Sequence, residues 1–393
     1  MRRILVSCSV VLAAACAPAA PSSSPAPAQS SSGAYKVLKS ARVGGEGGTD
    51  YIFADAVGRR IYITRNTVRA VPATATTAAK DAIPGRISVF DIETLALVGE
   101  IPGAAGNGAT VDPKSGHGFS SDHPDVAMWD TKSMQLIKKI PADSGFSPDG
   151  ILTDEFNHRV YVFSHPTKTA GVFDANDGRY LGHIDLGGVP EQGVPDGKGT
   201  LYVVMQDAEG SVTKVDVKTM KATAHFPFGT KGGSCNGLAL DAKNHILFAA
   251  CATSGGLQPA VVGANGQPQP QRQLPKPQMV ILSADDGHII TTLPLAGGSD
   301  GAAFNPKTME AFSSHGNGTL TIIKENSKTD FVVEQNLDTM NGARTLTLDE
   351  KTGHIFVMSV ERGPAPPPPA GGGRAGQAPV MPGSFTVLMI GKP

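Results

Sequence analysis

The segment PDGILTDEFNHRVYVFSH, residues 148–165, begins the clearest copy of the unit from which the chain is built. An apolar run ends at Asp154 and a polar turn follows it. A second run, VYVF at residues 160–163, is rich in β-branched and aromatic residues, as strands are. Two more strand-like segments follow at residues 171–174 and 180–185. The segment and its continuation therefore predict a unit of four short antiparallel strands.

The same unit recurs along the chain. Aligned on the residue that ends each first strand, the units are separated by 57, 42, 42, 45, 64 and 44 residues. The aligned residues are Asp55, Asp112, Asp154, Asp196, Asp241, Asn305 and Asp349. A period of roughly 40–45 residues with four strands is typical of a β-propeller. Because one small sheet cannot bury both of its faces alone, the blades must stack around an axis. We therefore predict an all-β, seven-bladed propeller as a single domain over residues 35–393.

The last unit lacks a fourth strand. It has strand-like segments at residues 344–348, 354–360 and 384–390, after which the chain ends. A further strand-like segment, residues 35–43, precedes the first unit. We predict that this N-terminal segment pairs with the final strand as the outer strand of blade 7. That pairing would close the ring and remove an exposed sheet edge.

The repeat also resembles a known family. The second strands include IYITRN at 61–66, VYVF at 160–163 and LYVV at 201–204, and a third strand carries VFD at 89–91. These strands resemble the YVTN-repeat, YncE-like seven-bladed propellers. The resemblance implies the fold, but it implies no single activity, because such propellers host several roles.

The N-terminus predicts export. Residues 1–16 have a basic start, a short apolar run and small residues, which are features of a signal peptide. The apolar run is too short to span a membrane. Cys16 follows a Leu-Ala-Ala-Ala run that resembles a bacterial lipoprotein cleavage site, so Cys16 is a candidate for lipidation. Ordinary cleavage near Ala15 or Ala17 is the alternative. Residues 17–34 read as a disordered Ala/Pro/Ser tether. We expect a periplasmic, lipid-anchored or secreted protein.

The charge of the chain limits its partners. Without Arg2 and Arg3 it has 32 basic and 35 acidic residues, a net charge of −3, and no basic cluster. Nucleic-acid binding is therefore disfavoured, because it requires clustered Lys and Arg. We expect a small-molecule or protein partner, a membrane contact only through a lipid at the N-terminus, and a monomer.

A polar residue lies five positions before each aligned residue. The set is Asp50, Asn107, Asp149, Glu191, Asn236, Asp300 and Arg344. Since first strands line the channel of a propeller, we predict a ring of polar side chains at one mouth. The second strands end near the same mouth and place His123, His165 and His315 there. Such a set predicts a site for a ligand or a metal. The alternative is that Asn-Gly and Asp-Gly pairs mark tight turns at a wet surface.

The Asn-Gly and Asp-Gly strand starts also resemble the gluconolactonase/regucalcin propellers. That resemblance implies one divalent ion on the axis, with Asn107, Asn236 and Asp300 as candidate ligands. Oxygen ligands suit Ca²⁺ or Mg²⁺, whereas neighbouring His side chains would suit Zn²⁺. The chain departs from that family in two ways. Asp50 stands where a Glu is expected, and the predicted ring has seven blades instead of six.

Three functions follow from these observations. The first is an exported propeller that binds a small molecule, an ion or a protein at one mouth. The second is a metal-dependent lactonase or hydrolase, in which Asp149 or Asp300 would act as base on metal-activated water. The third is a structural interaction propeller that uses its long connections, residues 66–85, 252–277 and 361–383.

Two cysteines remain after the signal segment. Cys235 precedes the first strand of blade 5, and Cys251 ends the second strand. Counting outward from the turn places Cys235 opposite Ala252, one residue out of register with Cys251. That separation is near the distance a disulfide needs, and export permits the bond. We predict a Cys235–Cys251 disulfide, the alternative being two buried free thiols.

Overall fold

The computed structural model describes residues 33–73, 78–251, 256–257, 267, 273–274, 276–365 and 378–393. These residues form seven four-stranded antiparallel sheets, as the repeat predicts, and one short 3-10 turn at Gly229–Lys231. The signal segment 1–16, Cys16 and all but the last two residues of the tether lie outside the described residues, as do parts of the three long connections. Among the described residues, no helix has the length and apolar character needed to cross a bilayer.

The strands follow one another blade by blade. β1 (Lys36–Arg42) is separated in sequence from its own blade, the seventh. Blades 1 to 3 contain β2 (Ile52–Asp55), β3 (Arg60–Arg65), β4 (Arg86–Asp91) and β5 (Leu97–Pro102); β6 (Ala109–Asp112), β7 (His117–Ser120), β8 (Val126–Asp130) and β9 (Gln135–Ile140); and β10 (Pro148–Asp154), β11 (Arg159–Ser164), β12 (Thr169–Asp174) and β13 (Tyr180–Asp185).

Blades 4 to 7 complete the ring. They contain β14 (Pro190–Pro195), β15 (Thr200–Met205), β16 (Ser211–Asp216) and β17 (Lys221–Pro227); β18 (Cys235–Asp241), β19 (Ile246–Cys251), β22 (Gln278–Ser283) and β23 (Ile289–Pro294); β24 (Ser299–Asn305), β25 (Glu310–His315), β26 (Thr319–Ser327) and β27 (Asp330–Asp338); and β28 (Leu346–Leu348), β29 (Ile355–Ser359) and β30 (Thr386–Gly391). The two-residue strands β20 (Gly256–Leu257) and β21 (Gln273–Leu274) pair within the connection of blade 5.

The N-terminal strand closes the ring, as predicted. β1 pairs antiparallel with β30, from Lys36 opposite Gly391 to Arg42 opposite Thr386. Tyr35, just before β1, is 3% exposed and packs edge-on against Phe312 of blade 6 with ring centroids 5.4 Å apart. Its hydroxyl donates a 2.5 Å hydrogen bond to Glu310 Oε2. The closing strand is thus joined to its own sheet and to the blade beside it.

The apolar core lies between adjacent blades. One buried cluster combines Tyr202 and Phe226 of blade 4 with Leu247 of blade 5, and another stacks Phe248 of blade 5 on Phe304 of blade 6 at 5.3 Å. Each sheet therefore buries its two faces against two different neighbours. This is the arrangement that requires a closed ring of blades.

The aligned residues occupy the turns at one end of the ring, which we call the turn end. Five of them end a first strand, and Asp196 and Asp349 directly follow one. In all seven a side-chain oxygen accepts a hydrogen bond from a backbone N–H two or three residues further on. The donors are Val57, Ser115, Phe156, Lys198, Lys243, Lys307 and Lys351. The repeat is regular at this position because every blade makes the same Asx turn.

The first strands of blades 3 to 6 are irregular at the other end, the mouth. Their pairing with the second strand shifts between Pro148 and Ile151, and at the corresponding points of β14, β18 and β24. In β18 the shift makes Asn236 an extra residue, so Cys235 lies directly opposite Cys251. The predicted register, with Cys235 opposite Ala252, was therefore wrong by one residue. The predicted disulfide itself is confirmed, with an S–S distance of 2.04 Å.

Candidate binding site at the mouth of the channel

Four of the predicted ring residues lie at these irregular positions. Asp149, Glu191, Asn236 and Asp300 each fall between the two pairs where the register shifts. A β-bulge re-aims a side chain that would otherwise follow the alternation of the strand. The bulges therefore explain why a polar residue recurs at this position of an otherwise buried inner strand.

The glycines that follow the ring residues allow adjacent inner strands to approach. A Cβ at Gly150 would lie 2.8 Å from the backbone oxygen of Glu191 in the next blade. A Cβ at Gly237 would lie 2.6 Å from the carbonyl carbon of Gly301. Real Cβ atoms do not approach other atoms this closely, so a larger residue would force the blades apart. The role of these glycines is therefore to allow close packing between blades.

One group of ring residues meets around His165 of blade 3. Its Nε2 lies 3.0 Å from Asp149 Oδ2 and 2.9 Å from Glu191 Oε2. Asn107 donates its amide to Asp149 Oδ1 at 2.7 Å, and Gln206 donates to Glu191 Oε2 at 2.9 Å. This group joins blades 2, 3 and 4. Because these carboxylate, imidazole and amide groups converge at the mouth, they form a polar cluster able to bind a cation or a polar ligand.

A second group meets around Arg344 of blade 7. Its guanidinium contacts Asp50 Oδ1 at 2.6 Å through Nη2 and Asp300 Oδ2 at 2.9 Å through Nε. Asn236 donates its amide to Asp300 Oδ1 at 2.8 Å. This group joins blades 1, 5, 6 and 7. The structure thus divides the seven predicted ring residues into two connected groups.

The electrostatics of the mouth follow from burial and from the excess of carboxylates. Burial raises the pKa of Glu191 and of Asp50, although His165 and Arg344 oppose the shift. The hydrogen bond to Glu191 is the main cause that raises the pKa of His165. The ring holds four carboxylates against Arg344 and His165. The site therefore attracts positive charge when all four carboxylates are ionised.

Two of the three predicted histidines lie apart from these groups. The His123 side chain is exposed, and its Nδ1 lies 3.4 Å from Ser147 Oγ. His315 is fully buried within blade 6, where its Nε2 lies 2.9 Å from Thr321 Oγ1. Burial lowers the pKa of His315 to about 4, so its imidazole is neutral near pH 7. In the described residues, neither histidine forms a hydrogen bond or ion pair with the polar ring, and only His165 joins it.

The metal ligands expected from the lactonase-type resemblance are divided between the two groups. Asn107 is bound to Asp149, whereas Asn236 and Asp300 are bound to each other and Asp300 also to Arg344. Within the described part of the chain, the acid and imidazole side chains that could share one ion are Asp149, His165 and Glu191. Their ligand atoms lie within 4.8 Å of one another.

Two further side chains reach across the channel and were not found by sequence reasoning. Tyr51 of blade 1 donates its hydroxyl to Glu191 Oε1 of blade 4 at 2.8 Å. Gln192 of blade 4 accepts the backbone N–H of Leu238 and of Ala302 at 3.0 and 3.1 Å. A sequence signal for them exists. Both occupy the position that is Gly in four other blades, so they are the large exceptions in a row of glycines.

A cavity of about 1060 Å³ lies beside the second group. Asp50 and Arg344 line it, together with residues from the strand connections of blades 1 and 7, including Val68, Lys80 and Met381. Val68 pairs with Ile83, and Arg362 with Val380, so the described parts of both connections have backbone pairing of their own. The long connections thus form a lined cavity at the mouth.

Comparison with known proteins supports the fold. No protein-family model and no curated protein sequence matches this chain. Solved structures with a similar fold include a chain of the Kuenenia stuttgartiensis hydrazine synthase, which is 15% identical and has a TM-score of 0.57, with 78% of this chain and 91% of that chain covered. A chain of the mitotic checkpoint complex is 8% identical with a TM-score of 0.63, covering 88% and 95%. U3-55K is 8% identical with a TM-score of 0.61, covering 92% and 99%. At these identities the likeness concerns the fold alone.

Proposed function

We propose that this protein is an exported, YncE-like propeller that binds a small molecule at the mouth of its channel. The observation that carries the proposal is the cavity of about 1060 Å³ that opens onto Asp50 and Arg344. Binding sites for small molecules are mostly concave and apolar, with a few fixed polar groups that orient the ligand. This cavity combines both features.

The lining of the cavity supports a ligand with an apolar body, and the ring beside it supports a cationic group on that ligand. Its apolar walls include Val68, Met340, Met358, Val360, Met381 and Phe385. Methionine side chains adapt to ligands of different shape because they are flexible and polarisable. The charged side chains that line the cavity, three acids and three bases, balance one another. The polar ring beside the cavity has more carboxylates than cationic side chains. An amine that extends from the cavity toward Asp50 would complement that excess.

The N-terminal sequence and the disulfide support export. Residues 1–16 have the pattern of a signal peptide, and Cys16 remains a candidate for lipidation. The Cys235–Cys251 disulfide is of the kind that persists in oxidising compartments. Membership of the YncE-like family is proposed from the strand motifs and the blade number. The same propeller with a partner protein at its long connections is the alternative that the ligand experiment below addresses.

Three compounds of similar shape test the proposal. The probes are 2-phenylethylamine, 2-phenylethanol and phenylacetate, which share an aromatic body and differ in the charge of the head group. Titration calorimetry should show binding of the amine to the full chain, with weaker binding of the alcohol and the acid. Asp50→Asn should lower the affinity for the amine roughly tenfold, because the loss of one ion pair of about 1.4 kcal/mol corresponds to that factor.

Glu350→Gln is the matched control, because Glu350 is an exposed acid at the turn end, next to Asp349. It should leave the affinity for the amine unchanged. Equal affinity for the three probes, or amine binding that Asp50→Asn leaves intact, would contradict a cationic ligand in this cavity. Absence of binding by all three would favour the alternative, a surface for a partner protein.

A further inference from the structure

The strongest unassigned feature is the meeting of Asp149, His165 and Glu191 at the mouth. We propose that these three side chains bind one divalent cation of the first transition series, with Zn²⁺ and Mn²⁺ as the principal candidates. The site uses other residues than the small-molecule cavity at Asp50 and Arg344. The two proposals therefore stand or fall separately.

The distances between the ligand atoms suit one ion. His165 Nε2 lies 3.0 Å from Asp149 Oδ2 and 2.9 Å from Glu191 Oε2. Ligand atoms that bind one cation at about 2.1 Å and subtend a right angle there are separated by about 3 Å. Small movements of the three side chains would then bring all three atoms onto a common centre.

The surroundings of the cluster hold its members in a ligating orientation. Asn107 binds Asp149 through Oδ1, and Tyr51 binds Glu191 through Oε1, so in each carboxylate the other oxygen faces the imidazole. Metal sites are built in this way, with a second layer of hydrogen bonds that fixes each ligand.

Burial distinguishes this cluster from a surface ion pair. Glu191 is 6% exposed, and three donors surround it, from Tyr51, His165 and Gln206. The His165 side chain is 35% exposed, so the cluster keeps one side open to the channel mouth. A cation there would have free positions for water or for a ligand.

The ligand types select the metal class. Imidazole suits zinc, copper, iron and nickel, whereas carboxylates also suit manganese, and Ca²⁺ prefers a shell made of oxygen. One imidazole with two carboxylates therefore favours Zn²⁺ or Mn²⁺ over Ca²⁺. The competing arrangement is an imidazolium ion that bridges two carboxylates and binds no metal.

Metal titration of the full chain, free of any affinity tag and stripped with a chelator, tests the proposal. Calorimetry with Zn²⁺ and with Mn²⁺ should show one site per chain for at least one of them, and Co²⁺ should give visible absorption bands of a bound ion. His165→Gln and Asp149→Asn should each lower the affinity for the metal at least 10- to 100-fold. That is the range for loss of a hydrogen-bond partner that orients a metal ligand, and removal of the ligand itself costs no less.

His183→Gln is the matched control, because His183 pairs with a single exposed carboxylate, that of Asp143, at 2.6 Å. It should leave metal binding unchanged. Absence of binding of all three ions would leave the imidazolium bridge as the correct description. Binding that both His165→Gln and Asp149→Asn leave intact would overturn the assigned ligands. Asp50→Asn should leave metal binding in place, which separates this result from a failure of the small-molecule proposal.

Discussion

The two ends of the inner strands carry similar residues but satisfy them in different ways. At the turn end, a side-chain oxygen of Asp or Asn accepts a backbone N–H from the turn of its own blade, as Asp154 does from Phe156. At the mouth, the ring residues bind side chains of other blades, as Asp149 binds Asn107 and Glu191 binds Tyr51. The first arrangement is local and repeats seven times. The second varies around the ring, and only the Asn107–Asp149 and Asn236–Asp300 contacts are alike.

This difference separates residues that build the repeat from residues available for function. Every blade must make the same turn, so the aligned position holds Asp or Asn throughout. The mouth position varies among Asp, Asn, Glu and Arg because each member fits a different neighbour. In a repeat protein, a polar position whose residue type varies is therefore the better guide to a binding site. The strictly repeated position serves the fold.

Removal of the closing strand should have the largest effect on the free energy of unfolding. β1 runs the full length of blade 7 and therefore supports that blade at both the turn end and the mouth. Deletion of residues 1–43 removes β1 and Tyr35 and exposes the edge of β30. We expect a loss of more than about 4 kcal/mol in the free energy of unfolding, since truncation of a buried aromatic alone costs about 3–5 kcal/mol. Thermal unfolding measures it, with deletion of residues 1–34 as control. Equal melting temperatures of the two deletions would contradict the closure.

Substitution of one acid at each end tests the comparison directly. Asp349 at the turn end is fully buried, and accepts bonds from Lys351 N, Thr352 Oγ1 and Arg59 Nη1 at 3.0, 2.7 and 2.8 Å. Asp349→Ala should cost about 2–3 kcal/mol, because it leaves these donors unpaired. Asp50→Ala at the mouth should cost less than about 1 kcal/mol, because Arg344 keeps Asp300 as partner.

Urea unfolding of Asp349→Ala and Asp50→Ala measures the two losses in the free energy of unfolding.

Burial opposes ionisation of Asp349, but the bonds from Thr352 and Arg59 outweigh it and hold its pKa below the ordinary value. Its stabilising contribution should therefore be complete above the unfolded-state pKa of about 4 and be lost as the pH falls through the folded-state pKa. Similar losses for the two variants at pH 7 would refute the distinction between the ends.

His315 ends a second strand near the mouth and yet is buried. Burial lowers its pKa to about 4, whereas the unfolded chain takes up a proton near 6.5. Stability from this residue should be complete above about pH 6.5 and decline as the pH falls toward 4. Between pH 7 and 5 the expected loss is about 2 kcal/mol. The stability of His315→Gln should lack this loss between pH 7 and 5. The control variant His288→Gln should retain it, because His288 is exposed. An unchanged pH slope in His315→Gln would disprove the assignment.

The sequence was sufficient for the features that repeat or that follow from counting strands. The blade number, the closing role of residues 35–43 and the Cys235–Cys251 bond are all consequences of the strand pattern. The register at Asn236 could not be predicted in this way, because a bulge adds a residue without changing the apolar pattern. Contacts across the channel, such as that of Tyr51 with Glu191, depend on the curvature of the ring. Their partners are therefore distant in sequence and share no motif.

The side chains of Tyr51 and Gln192 affect how far a ligand can enter the central channel. They span the axis from blade 1 to blade 4 and from blade 4 to blades 5 and 6. Both side chains directly follow ring residues, so they lie just behind the polar ring of the mouth. A ligand that passed from the mouth into the channel would have to displace these two side chains and break their hydrogen bonds.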